Sequence, residues 1–217
     1  VEDAPAGIAD FILSNYQQNF LSKEHPDLVE NVQSAVNSDA VFAPILGIYV
    51  MGSFGSISQT SASDLDIWIC HQDDLSEQDQ QRLAEKTKKI TQWASTFHVE
   101  MHFYLMTQKR FRNERYSDPL TKENSGSAQY MLLLEEFYRS AVRLSGKPLL
   151  WLHLWVEDEK QYEAEVARLV AEGELNPNDW VDFGGLGQFS ASEYFGASLW
   201  QLYKGIDSPY KSVMKIL

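Results

Sequence analysis

The stretch "MGSFGSISQTSASDLDIWIC", from Met51 to Cys70, decides the fold. An apolar run breaks at Gly52, ten mostly small or polar residues follow the Gly-Ser pair, and a segment alternating between polar and apolar residues begins at Asp64. Alternation with period two is typical of a strand, whereas Gly and Ser between two such segments are typical of a turn. The stretch therefore predicts a strand, a turn and a second strand.

The second strand carries two aspartates, Asp64 and Asp66. Alternate side chains of a strand face the same way, so both carboxylates lie on one face and the apolar residues between and after them pack on the other. Paired carboxylates are hard oxygen ligands that suit two Mg²⁺ or Mn²⁺ ions at a phosphoryl or nucleotidyl transfer site. An ordinary hairpin whose exposed face happens to carry two aspartates is the simpler alternative, and the pair alone leaves it open.

The Gly-Ser pair before the turn fits the same chemistry. Gly52 lets the backbone approach a phosphate closely, and the hydroxyl of Ser53 can bond to phosphate oxygens. Ser56 extends this hydroxyl-rich turn. We therefore predict that Gly52, Ser53 and Ser56 bind a nucleotide phosphate.

The segment "HVEMHFYLM", from His98 to Met106, predicts the next strand. Glu100 would share a face with the two histidines, and pairing beside Asp64 and Asp66 would bring it to them as a third carboxylate. Such a group can bind a metal ion or act as a general base. A merely polar strand face explains Glu100 equally well, and the histidines lack the cysteines or helical H-E-x-x-H pattern of a zinc site.

The remaining pattern predicts an α+β (mixed α/β) fold, with a small mixed sheet, flanking helices and a mainly helical region after it. We divide the chain into an N-terminal helical segment over 1–45, a core over 46–156 and a helical region over 157–217. Outside the opening stretch, two helices are predicted within about 5–38, the second of them after His25-Pro26-Asp27. Further helices are predicted over Leu75–Phe97 with Ser76 as N-cap, Thr107–Tyr116, Ala128–Leu144, Asp158–Glu174, Glu193–Lys204 and from Ser208, and a strand over Pro148–Val156.

The composition limits the partners and the cellular compartment that we expect for this protein. The 217 residues carry a formal net charge of -13, which disfavours an extended interface with nucleic acid. No run approaches the roughly 18 apolar residues of a membrane helix, and the single cysteine, Cys70, fits a reducing compartment. We expect a cytoplasmic protein without membrane insertion. The chain begins at Val1 and ends within an amphipathic pattern, so we also expect it to be part of a longer protein.

Two levels of resemblance sharpen these predictions. The Gly-Ser pair, the D-x-D pair and the later acidic strand residue resemble the nucleotidyltransferase fold of the DNA polymerase beta superfamily. Three longer stretches resemble the catalytic region of the bacterial class I adenylate cyclases. They are "GIYVMGSFGSISQTSASDLDIWICHQ", "LLLEEFYRSAVRLSGK" and "EYFGASLWQLYKGIDSPYKSVMKIL".

The resemblance implies conversion of ATP to 3',5'-cyclic AMP and pyrophosphate. On this basis Gly52 and Ser53 would hold the triphosphate, Asp64 and Asp66 would bind two divalent ions, Mg²⁺ or Mn²⁺, and Glu100 would help to activate the ribose 3'-hydroxyl. The family also implies regulation through the sugar phosphotransferase system by a C-terminal region absent from this chain.

Cations are expected near the pyrophosphate leaving group. Arg139 and Arg143 are four residues apart and would share one face of the predicted helix over Ala128–Leu144, although an exposed stripe explains the spacing as well. Lys204, Ser208 and Lys211 resemble the lysine and Ser-Tyr elements with which the superfamily holds the triphosphate. We predict nucleotide binding by all five residues.

Two alternatives stay open on the sequence. One is a nucleotidyltransferase that moves AMP to a separate hydroxyl acceptor, since only the resemblance indicates cyclisation. The other is a regulatory module that binds nucleotide without turnover.

Overall fold

A four-stranded mixed sheet forms the centre of the molecule. The computed structural model describes residues 1–29, 32, 43–56, 59–60, 63–113, 136–154, 156, 159–185, 191–206, 209 and 212–213. The strands are β1 (Ile45–Met51), β2 (Leu65–His71), β3 (Met101–Met106) and β4 (Val142–Gly146), in the order β3-β2-β1-β4. β1 is antiparallel to β2 and to β4, whereas β2 is parallel to β3.

The register of β1 and β2 confirms the predicted strand, turn and strand. Met51, the last residue of β1, is the partner of Asp66. The chain leaves β1 at Gly52 and enters β2 at Leu65, so Asp64 lies one residue before the strand. This register places the Gly-Ser turn beside the aspartate pair.

Helices flank the sheet and confirm the predicted α+β class. The predicted N-cap is confirmed, because Ser76 accepts a hydrogen bond from the amide of Asp79. The α-helices are α1 (Asn15–Glu24), α2 (Glu77–Ser95), α3 (Gln108–Asn113), α4 (Glu159–Ala171) and α5 (Ala191–Lys204). Residues 136–140 are also helical, and short 3-10 helices cover Pro26–Leu28, Leu150–Leu152 and Pro177–Asp179.

The two faces of the sheet are buried by different side chains, because strand side chains alternate. One face contributes to an aliphatic cluster whose buried members are Ile45, Val50, Ile67, Ile69 and Leu83. The other face contributes to an aromatic cluster whose largest members are Tyr49, Trp68, Phe111, Phe137, Tyr138, Trp151, Tyr162 and Phe183. Asp66 alternates with Ile67 and lies on the same face as Trp68. The predicted division of β2 into a carboxylate face and an aliphatic face is thus confirmed.

Several predicted elements differ from the structure. The first helix, predicted from about residue 5, begins only at Asn15, and the strand predicted from His98 begins at Met101. His98 itself has a φ of +60°, which a continuous strand does not accommodate. The predicted strand over Pro148–Val156 is wrong, since Leu150–Leu152 form a 3-10 turn that buries Leu150 and Trp151.

The helix predicted over Ala128–Leu144 is wrong at its C-terminal end. Residues 136–140 are helical, but Val142–Gly146 form β4, which pairs with the edge of β1. Pairing with β1 satisfies the backbone of this segment where a helix would have left the sheet edge open. Three predicted segments fall wholly or largely outside the described residues. They are residues 128–135 of the helix over Ala128–Leu144, the second helix predicted within 5–38, and the helix from Ser208.

Within the part of the chain that the structure describes, we find no helix long and apolar enough to cross a membrane.

Candidate active site

The candidate site lies where β1 ends and β2 begins. Asp66 is half-buried there, and its Oδ1 atom accepts a hydrogen bond of 3.3 Å from the hydroxyl of Tyr104 on β3. The ring of Tyr104 stacks on Trp68 with centroids 5.1 Å apart, and Trp68 stacks in turn on Phe137 at 4.4 Å. The aromatic cluster therefore forms a rigid support on which the Asp66 carboxylate is oriented.

Negative charge accumulates around Asp66. Burial raises the pKa of its carboxyl group, and the charges of Asp64 and Glu136 raise it further. His102 and the Tyr104 hydrogen bond act in the opposite direction and do not cancel the effect. Burial and the same three acidic groups raise the pKa of Tyr104, so its hydroxyl stays protonated as a donor to Asp66. The negative charges of Asp64, Asp66 and Glu136 therefore act on the same small region of the molecule.

Gly52 makes room between two of these carboxylates. It has a φ of +87°, a conformation that favours glycine, and a Cβ atom placed on it would lie 3.6 Å from Glu136 Oε1 and 3.9 Å from Asp66 Oδ2. Its amide donates a 3.0 Å hydrogen bond to Ser140 Oγ, whose hydroxyl donates to the carbonyl of Glu136 at 2.6 Å. Gly52 thus provides space, while its amide anchors the helical residues 136–140.

The two serines of the turn have different surroundings. Ser53 is 6% exposed, and its Oγ atom has no hydrogen-bond partner among the described residues. Ser56 donates from both its amide and its hydroxyl to the carbonyl of Ser53, at 3.0 Å and 2.8 Å. The Ser56 hydroxyl stabilises the turn, whereas the Ser53 hydroxyl is a buried polar group whose burial is costly without a partner.

The strand that follows Glu100 pairs beside β2 and brings the backbone of Glu100 next to Leu65. β3 pairs in parallel with β2, with Asp66 opposite His102, and the amide of Leu65 donates to the carbonyl of Glu100 at 2.9 Å. The Glu100 side chain is 70% exposed and lies 3.2 Å from His102 Nε2. The predicted pairing of this strand beside the aspartates is confirmed, and His102 contacts Glu100 while acting electrostatically on Asp66.

The structure separates the two arginines that were predicted to share a helix face. Arg139 lies in the helical residues 136–140, but Arg143 lies on β4, where its Nη1 atom donates to the carbonyl of Gly146 at 3.2 Å. Their common helix face is therefore wrong, and their part in nucleotide binding stays a prediction. Lys204 is the last residue of α5, whereas Ser208 and Lys211 lie outside the described residues.

Glu136 is the site residue that sequence reasoning missed. It stands 70 residues after Asp66, within "LLLEEFYRS", where an acidic residue reads as an ordinary polar position of a helix. Its approach to Gly52 depends on long-range packing of residues 136–140 against the turn. No local signal in the sequence marks it.

The carboxylates near Asp66 are of the chemical type that binds a divalent cation. Asp64, Asp66 and Glu136 supply the hard oxygen donors that Mg²⁺ and Mn²⁺ take, and Gly52 leaves space between two of them. Burial, and after it the charges of Asp64 and Glu136, raise the pKa of Asp66, and a bound cation would favour its charged form. Across the described part of the chain, no three His, Cys, Asp or Glu side chains already stand in a metal-binding arrangement.

These residues define an α+β domain whose mixed sheet carries a carboxylate site beside a Gly-Ser turn. Residues 1–152 match the family model described as "Adenylate cyclase NT domain", and residues 189–217 match "Adenylate cyclase, class-I, second domain". The chain belongs to the class-I adenylate cyclase family.

Individual relatives agree with this assignment. An adenylate cyclase of Haemophilus influenzae is 69% identical over 219 residues, which cover 99% of this chain and 26% of the relative. Those of Pasteurella multocida and Escherichia coli (strain K12) are 62% and 45% identical, covering 100% and 99% of this chain and 26% and 25% of themselves. The chain spans about a quarter of the length of these relatives.

Similarity to a solved structure is weak. "Crystal structure of the toxin-antitoxin with AMP-PNP" aligns with a TM-score of 0.29 and 14% identity, over 70% of this chain and 99% of the other. The α+β fold class is therefore assigned from the four-stranded sheet and its flanking helices.

Proposed function

We propose that this chain is the catalytic part of an adenylate cyclase, which converts ATP to 3',5'-cyclic AMP and pyrophosphate. One observation supports this proposal most directly. In a chain of the class-I family, the pairing of Met51 with Asp66 brings the Gly-Ser turn and the aspartate pair to one place. Phosphate-binding groups and cation-binding carboxylates must lie together for such a reaction.

The Gly-Ser turn would receive the triphosphate. The buried hydroxyl of Ser53, unpartnered among the described residues, is a donor for a phosphate oxygen, and Gly52 contributes space rather than its amide, which Ser140 already binds. Arg139, Arg143, Lys204, Ser208 and Lys211 remain the proposed further contacts to the nucleotide. Ser56 would act by holding the Ser53 carbonyl and with it the shape of the turn.

Asp64 and Asp66, with Glu100, would hold two Mg²⁺ or Mn²⁺ ions. When bound, such ions neutralise charge on the phosphate oxygens and make a nearby hydroxyl more acidic. Tyr104 keeps the Asp66 carboxylate oriented through its hydrogen bond, and the stacked Trp68 holds Tyr104.

The reaction exchanges one phosphorus-oxygen bond for another. The 3'-oxygen of the ribose forms a bond to the α-phosphorus, the bond from that phosphorus to the bridging oxygen of the β-phosphate breaks, and pyrophosphate leaves with the electron pair. Glu100 would accept the proton of the 3'-hydroxyl, and its exposed carboxylate can pass that proton to water. Because both reacting groups belong to one nucleotide, no second substrate has to be collected.

The test incubates ATP and Mg²⁺ or Mn²⁺ with a chain spanning the full length of the relatives, and separates the products. Cyclic AMP and pyrophosphate in equal amounts are expected, with nearly all turnover lost in Asp64→Asn and in Asp66→Asn and a large loss in Glu100→Gln. Parental turnover in either aspartate variant would contradict the mechanism. AMP found only on a separate hydroxyl acceptor would establish the nucleotidyltransferase alternative, and binding of ATP without any product would establish the regulatory one.

A cytoplasmic location and regulation through the sugar phosphotransferase system remain part of this proposal. The composition supports the location, whereas the regulation is proposed only on the resemblance to the family.

A further inference from the structure

The helix α5 exposes apolar side chains, which a helix of a folded domain usually buries. Phe195, Leu199 and Leu202 on α5, and Ile206 just after it, are between 51% and 78% exposed. The three residues of α5 are four and three positions apart, which places them on one side of the helix, and Ile206 follows four positions later. Gln201 of the same helix is only 7% exposed. The helix therefore buries a polar residue and leaves an apolar stripe in contact with solvent.

We propose that this stripe, the α5 apolar face, is covered in the full-length protein by the part of the second domain that follows residue 217. Large apolar side chains that form one exposed patch mark an interaction surface. Apolar residues at alternating intervals of four and three are also the spacing with which one helix packs against another. The inference concerns how the chain assembles, and it does not depend on the proposed function.

The extent of the two family matches supports this occupant. The first match covers residues 1–152, whereas the second covers residues 189–217 and so includes α5. A domain has roughly 50 residues or more, so a match of this length is a part of a domain. Most of the length of the relatives lies outside this chain, which covers about a quarter of them. The remainder of the second domain is therefore a segment that α5 can pack against.

The position of α5 along the chain favours the same occupant. Consecutive elements are usually neighbours in space, and α5 ends at Lys204, close to residue 217. A Cβ atom placed on Gly205 would lie 3.7 Å from Ser212 Cβ, so the chain stays close to the end of α5 after leaving it. The segment that follows residue 217 thus starts near the α5 apolar face.

A lipid surface fits this face less well. Helices that lie on membranes carry several basic residues on their polar side, whereas Lys204 is the one basic residue in the sequence of α5. The formal net charge of -13 also opposes binding to anionic lipid. The composition therefore favours a protein segment as the occupant.

The experiment uses photo-cross-linking in the protein that spans the full length of the relatives. The photoreactive residue p-benzoylphenylalanine replaces Phe195 or Leu202 in separate variants, and replaces Phe97, an exposed phenylalanine just after α2, in the control. After irradiation, electrophoresis separates monomers from covalent dimers, and mass spectrometry identifies the attached peptides. Samples with and without vesicles of phosphatidylglycerol and phosphatidylethanolamine test for contact with lipid.

Both probes on α5 are expected to attach to peptides after residue 217 within the monomer, with a yield well above that of the Phe97 probe. Adding Leu202→Glu to the variant with the probe at position 195 should lower this yield about tenfold, because a carboxylate is costly in an apolar contact. Val170→Glu, at an exposed apolar residue of α4, is the matched control and should leave the yield unchanged. Circular dichroism verifies that each variant is folded.

Four results would overturn the inference. Attachment within covalent dimers would assign the face to a second copy of the chain, and attachment to lipid would assign it to a membrane surface. Attachment confined to residues 1–217 would show that this part of the chain covers its own helix. A yield no higher than that of the Phe97 probe would show that the face stays in water. None of these results bears on the conversion of ATP, so the proposed function keeps its own test.

Discussion

Asp66 stands half-buried on β2, with the charges of Asp64 and Glu136 near it and the hydroxyl of Tyr104 bonded to its Oδ1 atom. A carboxylate in this position is poorly solvated and repelled by its neighbours. Both effects favour its neutral form. The ionised form of Asp66 is therefore less favourable in the folded chain than in the unfolded one when no cation is bound.

The first prediction concerns the stability of Asp66→Asn. Because the folded-state pKa of Asp66 lies above that of the unfolded chain, the folded state holds an extra proton between these values. The free energy of unfolding therefore falls as pH rises through this window, from about 4 upward, and stays lower above it. Asparagine removes this loss. In metal-free buffer at neutral pH, the variant should melt roughly 2–4 °C higher, the shift that about 1 kcal/mol produces in a domain of this size.

Thermal unfolding between pH 4 and pH 8, followed by circular dichroism, measures this difference. The gap between variant and parent should widen with pH across the window. Asp74→Asn, which changes an exposed aspartate just beyond β2, serves as the control and should show no such gap. A variant that melts below the parent at neutral pH would show that Asp66 stabilises the fold.

The second prediction concerns Tyr104→Phe. The substitution keeps the stacking on Trp68 but removes the hydroxyl that orients Asp66, so turnover should fall about tenfold, as loss of a hydrogen bond to a charged group implies. KM for ATP should change much less, because the hydroxyl acts on Asp66 rather than on the nucleotide. Steady-state cyclase assays measure both quantities. Tyr16→Phe on α1, at an exposed tyrosine, is the matched control, and parental turnover in Tyr104→Phe would exclude the orienting role.

At the scale of elements, the site is a junction between the Gly-Ser turn, β2, and the helical residues 136–140. The turn contains two glycines with positive φ, Gly52 at +87° and Gly55 at +71°. Both positions have a backbone conformation that favours glycine, but the residues around them differ. Gly52 lies beside Glu136 and Asp66, whereas nothing among the described residues lies within 4 Å of a Cβ atom at Gly55. This difference allows backbone strain to be separated from occupation of the site.

The third prediction uses this pair. Gly52→Ala and Gly55→Ala should each lower the free energy of unfolding by about 1–2 kcal/mol, the cost of placing a non-glycine residue in the left-handed region. Only Gly52→Ala should also lower turnover by tenfold or more, because its methyl group enters the space between two carboxylates. Chemical denaturation and cyclase assays test the two effects separately. Equal losses of turnover in both variants would mean that only the backbone conformation of the turn affects turnover.

At the scale of the whole molecule, Asp182 joins elements that lie behind the aromatic cluster. Its carboxylate accepts hydrogen bonds from the Tyr162 hydroxyl on α4 and the Gly184 amide, both at 2.8 Å, and pairs with Arg112 on α3. Phe183, the following residue, stacks on Phe111 at 4.3 Å. One acidic side chain thus connects α3, α4 and the segment after Val181 around the core that supports β2.

The fourth prediction is that Asp182→Ala lowers the free energy of unfolding by roughly 2 kcal/mol, because three partly buried donors lose their acceptor. Glu172→Ala, which breaks an exposed ion pair with Arg168 on α4, should produce no measurable change. Urea unfolding monitored by tryptophan fluorescence compares the two. Similar stability in both variants would show that the Asp182 network is as weak as a surface pair.

The sequence predicted the parts of the site that depend on local pattern. Alternation along the segment that starts at Asp64 fixed the face of Asp66, and the pattern of the next strand predicted its pairing beside β2. That Glu100 takes part in the site stays a prediction. The α+β class followed from the order of such segments. These features were accessible because a strand of period two gives each side chain a definite side of the sheet.

The parts of the fold and of the site that depend on long-range packing could not be predicted from the sequence. Arg139 and Arg143 have helical spacing, yet Arg143 lies on β4 because β1 offers an edge with which Val142–Gly146 can pair. The neighbouring apolar residues Val142 and Leu144 remain about half-exposed, so burial left no clear pattern there. Glu136 was missed for the same reason, since it comes near Asp66 only because residues 136–140 pack against Gly52. The division of the chain into 1–45, 46–156 and 157–217 stays a prediction.

The strand order also has a consequence for biosynthesis. β1, β2, α2 and β3 follow one another along the chain, so the Gly-Ser turn and both aspartates emerge from the ribosome long before Glu136 and β4. A nascent chain can assemble β1, β2 and β3 while Glu136 is still within the exit tunnel or has not yet been made. The charge of Glu136 then acts on Asp66 only after residues 136–140 have been made, in the same stage of synthesis that supplies Phe137, Tyr138 and the later members of the aromatic cluster.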